Sequence, residues 1–515
     1  MGSQGPPQDP EASAPPLPTA DGSRGLRSPV EAVPPDDLLR VPHEGLGPGG
    51  GPKRVIVVGA GVAGLVASFE LRRKGHDVVL LEAQNLVGGR VLTLRCFAPG
   101  LYAEAGAMRL PRVHELSLAY CRLLGLQLRP FVMDNPRALV YVAGRRHVAG
   151  DVDGDPALLG FDLAEHERGR TYRQMWDEAT REFRQAYARD GEAGFAALAA
   201  RYGDLSIREF LKQRGFSEGA IELYGVMSFR EANMNASVAE QLREVVGRAF
   251  LDMQEVVGGM DRLPLGLYRS VAESVRFGAQ VHAVTQDADT VTAHYRTRSG
   301  NFSVSGDHLI CTLPFGVLRH VDFRPALSRA KYRAIRELHY NASTKILLQV
   351  RSRFWEHADG IVGGTTTTDL PIRRLVYPSY SDPEERRGIL LASYTWGQDA
   401  IRWAAFSEED RLSLALKDVA KIHPQVLEEY EGGASHAWHN DPWAGGAFAL
   451  FAPGQEAALH SDVLRPEGRV HFAGEHCSLW HAWIQGALES GVRAAQEIHR
   501  LPVGIRPRGT PSRAG

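Results

Sequence analysis

Long hydrophobic runs are missing from this 515-residue chain. No stretch of about 18 uninterrupted apolar residues occurs, so no transmembrane helix is expected. The N-terminus also lacks the charged-then-apolar pattern of a secretory signal. Cysteine is scarce. Cys96, Cys121, Cys311 and Cys477 are scattered and form no C-x-x-C pair, which argues against a metal centre, an iron–sulfur cluster or a disulfide framework. Reduced thiols in the cytoplasm are the expectation, with secretion left open. Charge of one sign is absent too. The 59 basic and 61 acidic residues leave a net charge of −2, so a nucleic-acid partner is not expected. Residues 1–53 lack aromatic side chains and are rich in Pro, Gly, Ser and Ala. Such a segment cannot bury enough apolar surface to offset its ordering entropy, and it reads as a disordered tail.

What is present begins at Lys53. Val55-Ile56-Val57-Val58 suits a short buried parallel strand, and Gly59-Ala60-Gly61-Val62-Ala63-Gly64 follows it. A helical pattern (Leu65, Phe69, Leu71) leads to a second apolar run, Val78–Leu81, and Glu82 stands 18 residues past Gly64. This strand, G-x-G-x-x-G, helix, strand and acid order is that of a dinucleotide-binding unit. Gly59 permits the turn, Gly61 lets the backbone approach a pyrophosphate, and Gly64 lets the helix pack on the strand. The helix N-terminus adds unpaired N–H groups, and Glu82 can accept from ribose hydroxyls.

Gly88-Gly89-Arg90 comes next, with two small residues for close backbone approach and a guanidinium suited to phosphate. An amphipathic helix is expected over His114–Leu126 and a strand over Arg137–Val142. Residues from about 157 to 250 read as helices, among them Thr171–Arg189, Ser206–Gln213 (with Glu209 completing a capping box) and Ser237–Met253. Strands are expected over Gln280–Ala283, Val291–Arg296, Asp307–Leu313, Ser343–Val350, Arg374–Tyr377 and Leu390–Thr395. Near the end, Gly474-Glu475 closes a short strand, and Trp480 to Ala487 opens the last helix.

These four ordered blocks (the fingerprint with Glu82, Gly88-Gly89-Arg90, Gly474-Glu475 and the Trp-rich segment) make the chain resemble the flavin amine oxidase family from about residue 54 to 500. The resemblance implies an α/β fold: a Rossmann-like FAD-binding domain with an interleaved β-sheet substrate domain and a helical insertion. The expected partition is a tail over 1–53, FAD-binding parts over 54–110, 252–325 and 456–503, and substrate-domain parts over 111–150 and 326–455. A helical insertion over 151–251 and a second disordered tail over 504–515 complete it. By that likeness Gly59, Ala60, Gly61, Ala63, Gly64, Glu82, Ala83, Gly89, Arg90 and Val281 hold the ADP half of FAD. Gly106, Ala107, Met108, Arg109, Gly474, Glu475, Trp483, Ile484 and Ala487 line its ribityl chain and ring.

Within the family, Ala105-Gly106-Ala107-Met108-Arg109 is most similar to the L-amino-acid oxidases. There the matching arginine binds the substrate α-carboxylate, a task for which a planar guanidinium offers two parallel charge-assisted hydrogen bonds. The alternative is a structural ion pair. Tyr377 matches a tyrosine that donates to the same carboxylate, or else is a strand tyrosine with a satisfied hydroxyl. Lys345, flanked by apolar residues, matches a lysine that holds a water against the flavin; the alternative is a surface lysine on an edge strand. Trp483, Ala447, Phe448 and Ala482 match the substrate walls. Ala447 stands where the monoamine oxidases attach flavin through cysteine, which implies non-covalent FAD. No histidine lies between His166 and His282, so a histidine base from the helical insertion is not expected.

The resemblance thus implies oxidative deamination of L-amino acids, with O2 as acceptor, to 2-oxo acids, ammonia and hydrogen peroxide. Large neutral or aromatic side chains are favoured by Phe448 and Trp483. Basic side chains stay open through Glu231, Glu240 or Glu244. Amine or polyamine oxidation, amino-acid 2-monooxygenation and a non-catalytic FAD-bearing role are the other readings. Family members are often homodimers.

Overall fold

The computed structural model describes residues 36–380 and 382–502. Its organising sheet is five-stranded and parallel, in the order Val470–Phe472, His308–Cys311, Arg54–Val58, Asp77–Leu81, Val275–Arg276. Arg54–Val58 is central, and its four valine and isoleucine side chains are buried, as a strand covered on both faces requires. The helix Val62–Arg73 crosses over to Asp77–Leu81. The last helix, Ile484–Arg500, lies against it so closely that a Cβ on Gly491 would come within 2.4 Å of the Ala63 carbonyl.

A second sheet has seven strands, in the order Tyr430–Ala437, Ser343–Val350, Gly388–Trp396, Arg374–Val376, Thr365–Thr368, Leu139–Val142, Arg145–Val148. Its two faces bury different cores. Ile346, Leu348, Leu375 and Tyr377 pack with Trp355 and Leu390 on one face. Leu347 and Val376 pack with Met108, Phe131 and Leu391, beside Trp483, on the other. Helices over 172–246 enclose a third core around Phe183, Phe195, Phe210 and Leu242. Glu240 joins this layer to the rest by accepting from the Phe451 N–H at 2.6 Å.

Three expectations change. Part of the segment read as a tail is folded: Asp36–Glu44 is a helix, and Leu38, Val41 and Leu46 are buried against the core around the fingerprint helix. Leu38 and Val41, three apart, give it an apolar face that average composition over 53 residues conceals. Residues 1–35 and 504–515 lie outside the described residues. The helix expected over Ser237–Met253 ends at Val246. Gly247 follows it, and Arg248 and Asp252 take positive φ (55° and 49°), which no helix continues through. His114–Leu126 shortens to Glu115–Leu123. Among the described residues no helix is long and apolar enough to cross a membrane.

Candidate active site

One cavity of about 320 Å³ runs from the fingerprint loop to the seven-stranded sheet. At one end Gly59, Gly61, Ala63, Glu82, Ala83, Gly89, Arg90 and Val281 line it. A Cβ on Gly61 would meet nothing within 4 Å, so this position leaves open room for a ligand. Gly61 caps the helix Val62–Arg73 without any side-chain hydrogen bond, leaving its first N–H groups to an anion. Gly64 works from behind: a Cβ there would lie 2.0 Å from the Gly59 carbonyl oxygen. Ala60 and Gly64 do not reach the cavity wall. Ala60 instead donates its N–H to Glu82 Oε2 at 2.7 Å, while Gln84 N–H donates to Oε1 at 2.8 Å. Burial raises the Glu82 carboxyl above its usual range, against the lowering pull of these N–H groups.

Residues from the far end of the chain close this half. Arg90 Nη1 donates to Glu475 Oε1 at 2.8 Å and to the Ala447 carbonyl at 3.1 Å. Glu475 also accepts from the N–H groups of Ala449 and Ala482, both at 3.1 Å. Although fully buried, Glu475 is held below its usual range by Arg90 and these donors. Ala482 has φ 65°, rare for alanine, and that bend presents Trp483 and Ile484 to the cavity. Gly474 and Ala487 line the same stretch.

At the sheet end stand Gly106, Ala107, Met108, Arg109, Lys345, Tyr394, Trp396, Ala447, Phe448, Ala482 and Trp483. Lys345 is buried and donates to the carbonyls of Gly106 (2.6 Å) and Glu104 (3.1 Å), which leaves one ammonium hydrogen. Burial pushes its ammonium well down, and burial pushes the neighbouring Glu104 carboxyl up. Tyr394 is the register partner of Lys345 across the strands, and its ring lies 4.8 Å from the lysine Nζ. Arg109 makes no hydrogen bond or ion pair with any described residue. Its guanidinium lies 5.9 Å from the Phe131 ring and 6.0 Å from the Trp483 ring. Burial lowers its pKa, with Tyr394 and Glu244 pulling upward and Arg230 downward.

Tyr377 is not part of this site. Its hydroxyl is shared between Thr366 Oγ1 and His423 Nε2, both at 2.7 Å, on the opposite face of the sheet. The reason is parity: side chains alternate along a strand, so Arg374 and Val376 share one face while Leu375 and Tyr377 share the other. Tyr394 occupies the position by the cavity that Tyr377 was expected to fill. Its signal was the alternation of Tyr394 and Trp396 at the end of an apolar strand. Arg230 and Phe250, which also line the cavity, had no comparable signal; of the three acids considered for a basic side chain, Glu240 and Glu244 line it and Glu231 does not.

The family model for flavin containing amine oxidoreductase matches residues 62–499. The chain belongs to this family. It is 37% identical over 474 residues to a putative L-amino-acid oxidase of Bacillus subtilis, covering 91% of this chain and 99% of that one. It is 34% identical over 472 residues to an L-amino-acid oxidase of Siganus canaliculatus (90% and 89% covered). It is 33% identical to one from Bothrops atrox (90% and 92%). In fold it is similar to a putrescine oxidase solved with putrescine (TM-score 0.71, 20% identity, 87% and 99% covered). Cyclohexylamine oxidase from Brevibacterium oxydans is another neighbour (TM-score 0.69, 21% identity, 87% and 98%).

The cofactor of this flavin-dependent oxidoreductase is FAD, and the residues fit it. The Gly61 opening, the uncapped helix terminus and the Glu82 oxygens suit an ADP moiety. No cysteine lines the cavity, and Ala447 offers no thiol, so FAD is held non-covalently. Cys477 is buried in the core and burial pushes its thiol up to about 12, which leaves it inert. The reaction is oxidation of an amine or an amino acid.

Proposed function

We propose that the chain is an L-amino-acid oxidase, converting L-α-amino acids to 2-oxo acids and ammonia with reduction of O2 to hydrogen peroxide. The observation that carries this reading is Arg109. A guanidinium buried in a cavity without a partner is costly, and a bidentate carboxylate relieves that cost. A simple amine has no group to offer it.

In this reading Arg109 grips the α-carboxylate, and the Tyr394 hydroxyl donates a further hydrogen bond to it. Trp483 and Trp396 wall the side chain and exclude water. The fixed carboxylate orients the Cα–H bond toward the cofactor end and removes much of the entropic barrier. The substrate ammonium passes its proton to bound water, leaving a neutral amine. Lys345 holds one water through its remaining ammonium hydrogen, and its lowered pKa lets it exchange a proton there. FAD, when bound, supplies the two-electron acceptor that O2 regenerates. Overall the amino acid gives up two electrons and two protons to become an imino acid, and O2 takes them up as hydrogen peroxide. Water then hydrolyses the imino acid to the 2-oxo acid and ammonia.

Peroxide, ammonia and 2-oxo acid are measured from a panel of L-amino acids, their D-isomers and simple amines. L-Phenylalanine should be turned over far faster than phenethylamine. Equal rates would remove the Arg109 clamp and favour an amine oxidase. Carbon dioxide and a carboxamide in place of peroxide would favour a monooxygenase.

A further inference from the structure

We propose that the far end of the substrate pocket is built for a second carboxylate, so that the preferred substrates are acidic L-amino acids of the glutamate and aspartate type. This rests on the reading of Arg109 as the α-carboxylate clamp.

The argument is a balance of charge. Arg230 lines the same cavity, flanked by the rings of Trp396 at 5.4 Å and Phe250 at 5.9 Å. Only its Nη2 has a partner, Glu244 Oε2 at 2.9 Å. Its other guanidinium donors have no acceptor among the described residues. Arg374 stands on the site face of its strand. Its guanidinium lies 4.4 Å over Phe229, which in turn stacks on the cavity residues Trp396 (4.7 Å) and Tyr394 (5.7 Å). The Arg374 guanidinium donates no hydrogen bond to a described residue, and its Nε is buried without a partner. Burial above all, with the charges of Arg109 and Arg230, lowers its pKa to about 10 against the upward pull of Tyr172 and Asp134.

Two guanidiniums, Arg109 and Arg230, therefore line this end, and a third, Arg374, stands behind Phe229; of the acids beside them, Glu244 pairs with Arg230 and Glu240 with His481. Both Glu244 oxygens are in use, the second accepting from Trp483 Nε1 at 3.1 Å. The nearby acids are engaged elsewhere. Asp134 is paired with Arg173 at 2.8 Å, Glu231 with Arg373, and Glu240 with His481 at 2.8 Å. Lys345 and Glu104 answer one another. Two positive charges remain, and an α-carboxylate neutralises only one. A side-chain carboxylate supplies the second. The same census argues against basic substrates, because Glu231 does not line this cavity, and both oxygens of Glu240 and of Glu244 already accept from protein donors. A neutral aromatic side chain would desolvate the remaining Arg230 donors without giving them an acceptor.

The test uses FAD-loaded full-length protein. The ratio of kcat/KM for L-glutamate over its neutral isostere L-glutamine, and for L-aspartate over L-asparagine, should reach roughly tenfold or more for at least one pair. Arg230→Met should bring that ratio toward one, with FAD content confirming a folded site. Calorimetry gives a readout independent of turnover: glutarate should bind roughly tenfold or more tightly than butyrate. Turnover of neutral amino acids with ratios near one would overturn the inference while leaving the oxidase reading intact. If no amino acid yields peroxide, the oxidase reading fails, and glutarate binding no tighter than butyrate would then sink the charge argument as well.

Discussion

At the cofactor end Glu82 and Glu475 each hold at least two hydrogen-bond donors, as does Glu489, buried in the last helix beside it, whereas near the substrate end the guanidiniums of Arg109 and Arg374 hold no acceptor among the described residues. The buried carboxylates of the first region are satisfied without its ligand; the buried guanidiniums of the second are left for it. The difference shows in how charge is buried. Glu475 is kept ionised by fixed protein donors, while Arg109 and Arg374 are both depressed by burial that the upward pull of Glu244 on one and Asp134 on the other does not offset. A site whose charges are left unpaired invests its binding energy in the substrate.

This contrast can be broken first at the cofactor end. Gly64→Val puts side-chain atoms where a Cβ alone would lie 2.0 Å from the Gly59 oxygen, so the purified variant should lose flavin absorbance altogether. Retained stoichiometric FAD would mean that the helix and strand can separate. At the other end, Arg109→Met should lower kcat/KM for L-amino acids by about 10³, on the order of the cost of breaking a desolvated charge pair, while flavin absorbance stays full. Loss of flavin would make Arg109 a structural residue.

Glu489 sharpens the picture of the saturated region. It accepts from Ser478 Oγ and Gln485 Nε2, both at 3.0 Å, yet burial raises its pKa to about 8. Its folded pKa lies above the unfolded 4.5, so the folded state binds the extra proton between those values. Its contribution is full below about pH 4.5 and lost as pH rises through about 8, at most about 1.4 kcal/mol per pH unit. Glu489→Gln should therefore raise Tm more at pH 8 than at pH 5. An equal shift at both would show that Glu489 ionises freely. The smallest effect is expected at Tyr377→Phe, which strands Thr366 and His423 at a cost of about 1–2 kcal/mol. KM for the amino acid should stay unchanged, and a raised KM would return Tyr377 to the site.

The contrast also explains what could be read from the sequence. Gly59, Gly61, Gly64 and Glu82 serve backbone geometry that fixes residue type and spacing together, so the cofactor half was legible. Arg109 and Lys345 were legible through their neighbours. Tyr377 misled because a strand carries aromatic residues on both faces, and a one-residue difference in parity exchanges core for site. Arg230, in the pocket wall, and Arg374, behind Phe229, come from separate segments whose meeting is set by packing of the helical layer against the sheet. No local pattern records that. The buried helix Asp36–Glu44 was hidden in the same way, by averaging over a Pro- and Gly-rich surround.

The contact of Gly491 with Ala63, together with the Arg90–Glu475 pair, has a consequence for synthesis of the chain. The fingerprint loop leaves the ribosome early, but the strand Val470–Phe472 and the residues that shut the cavity over it come last. A nascent chain can form the turn long before it can retain a flavin. Cofactor capture thus waits until synthesis has passed Trp483, and products cut short before Gly474 should be colourless.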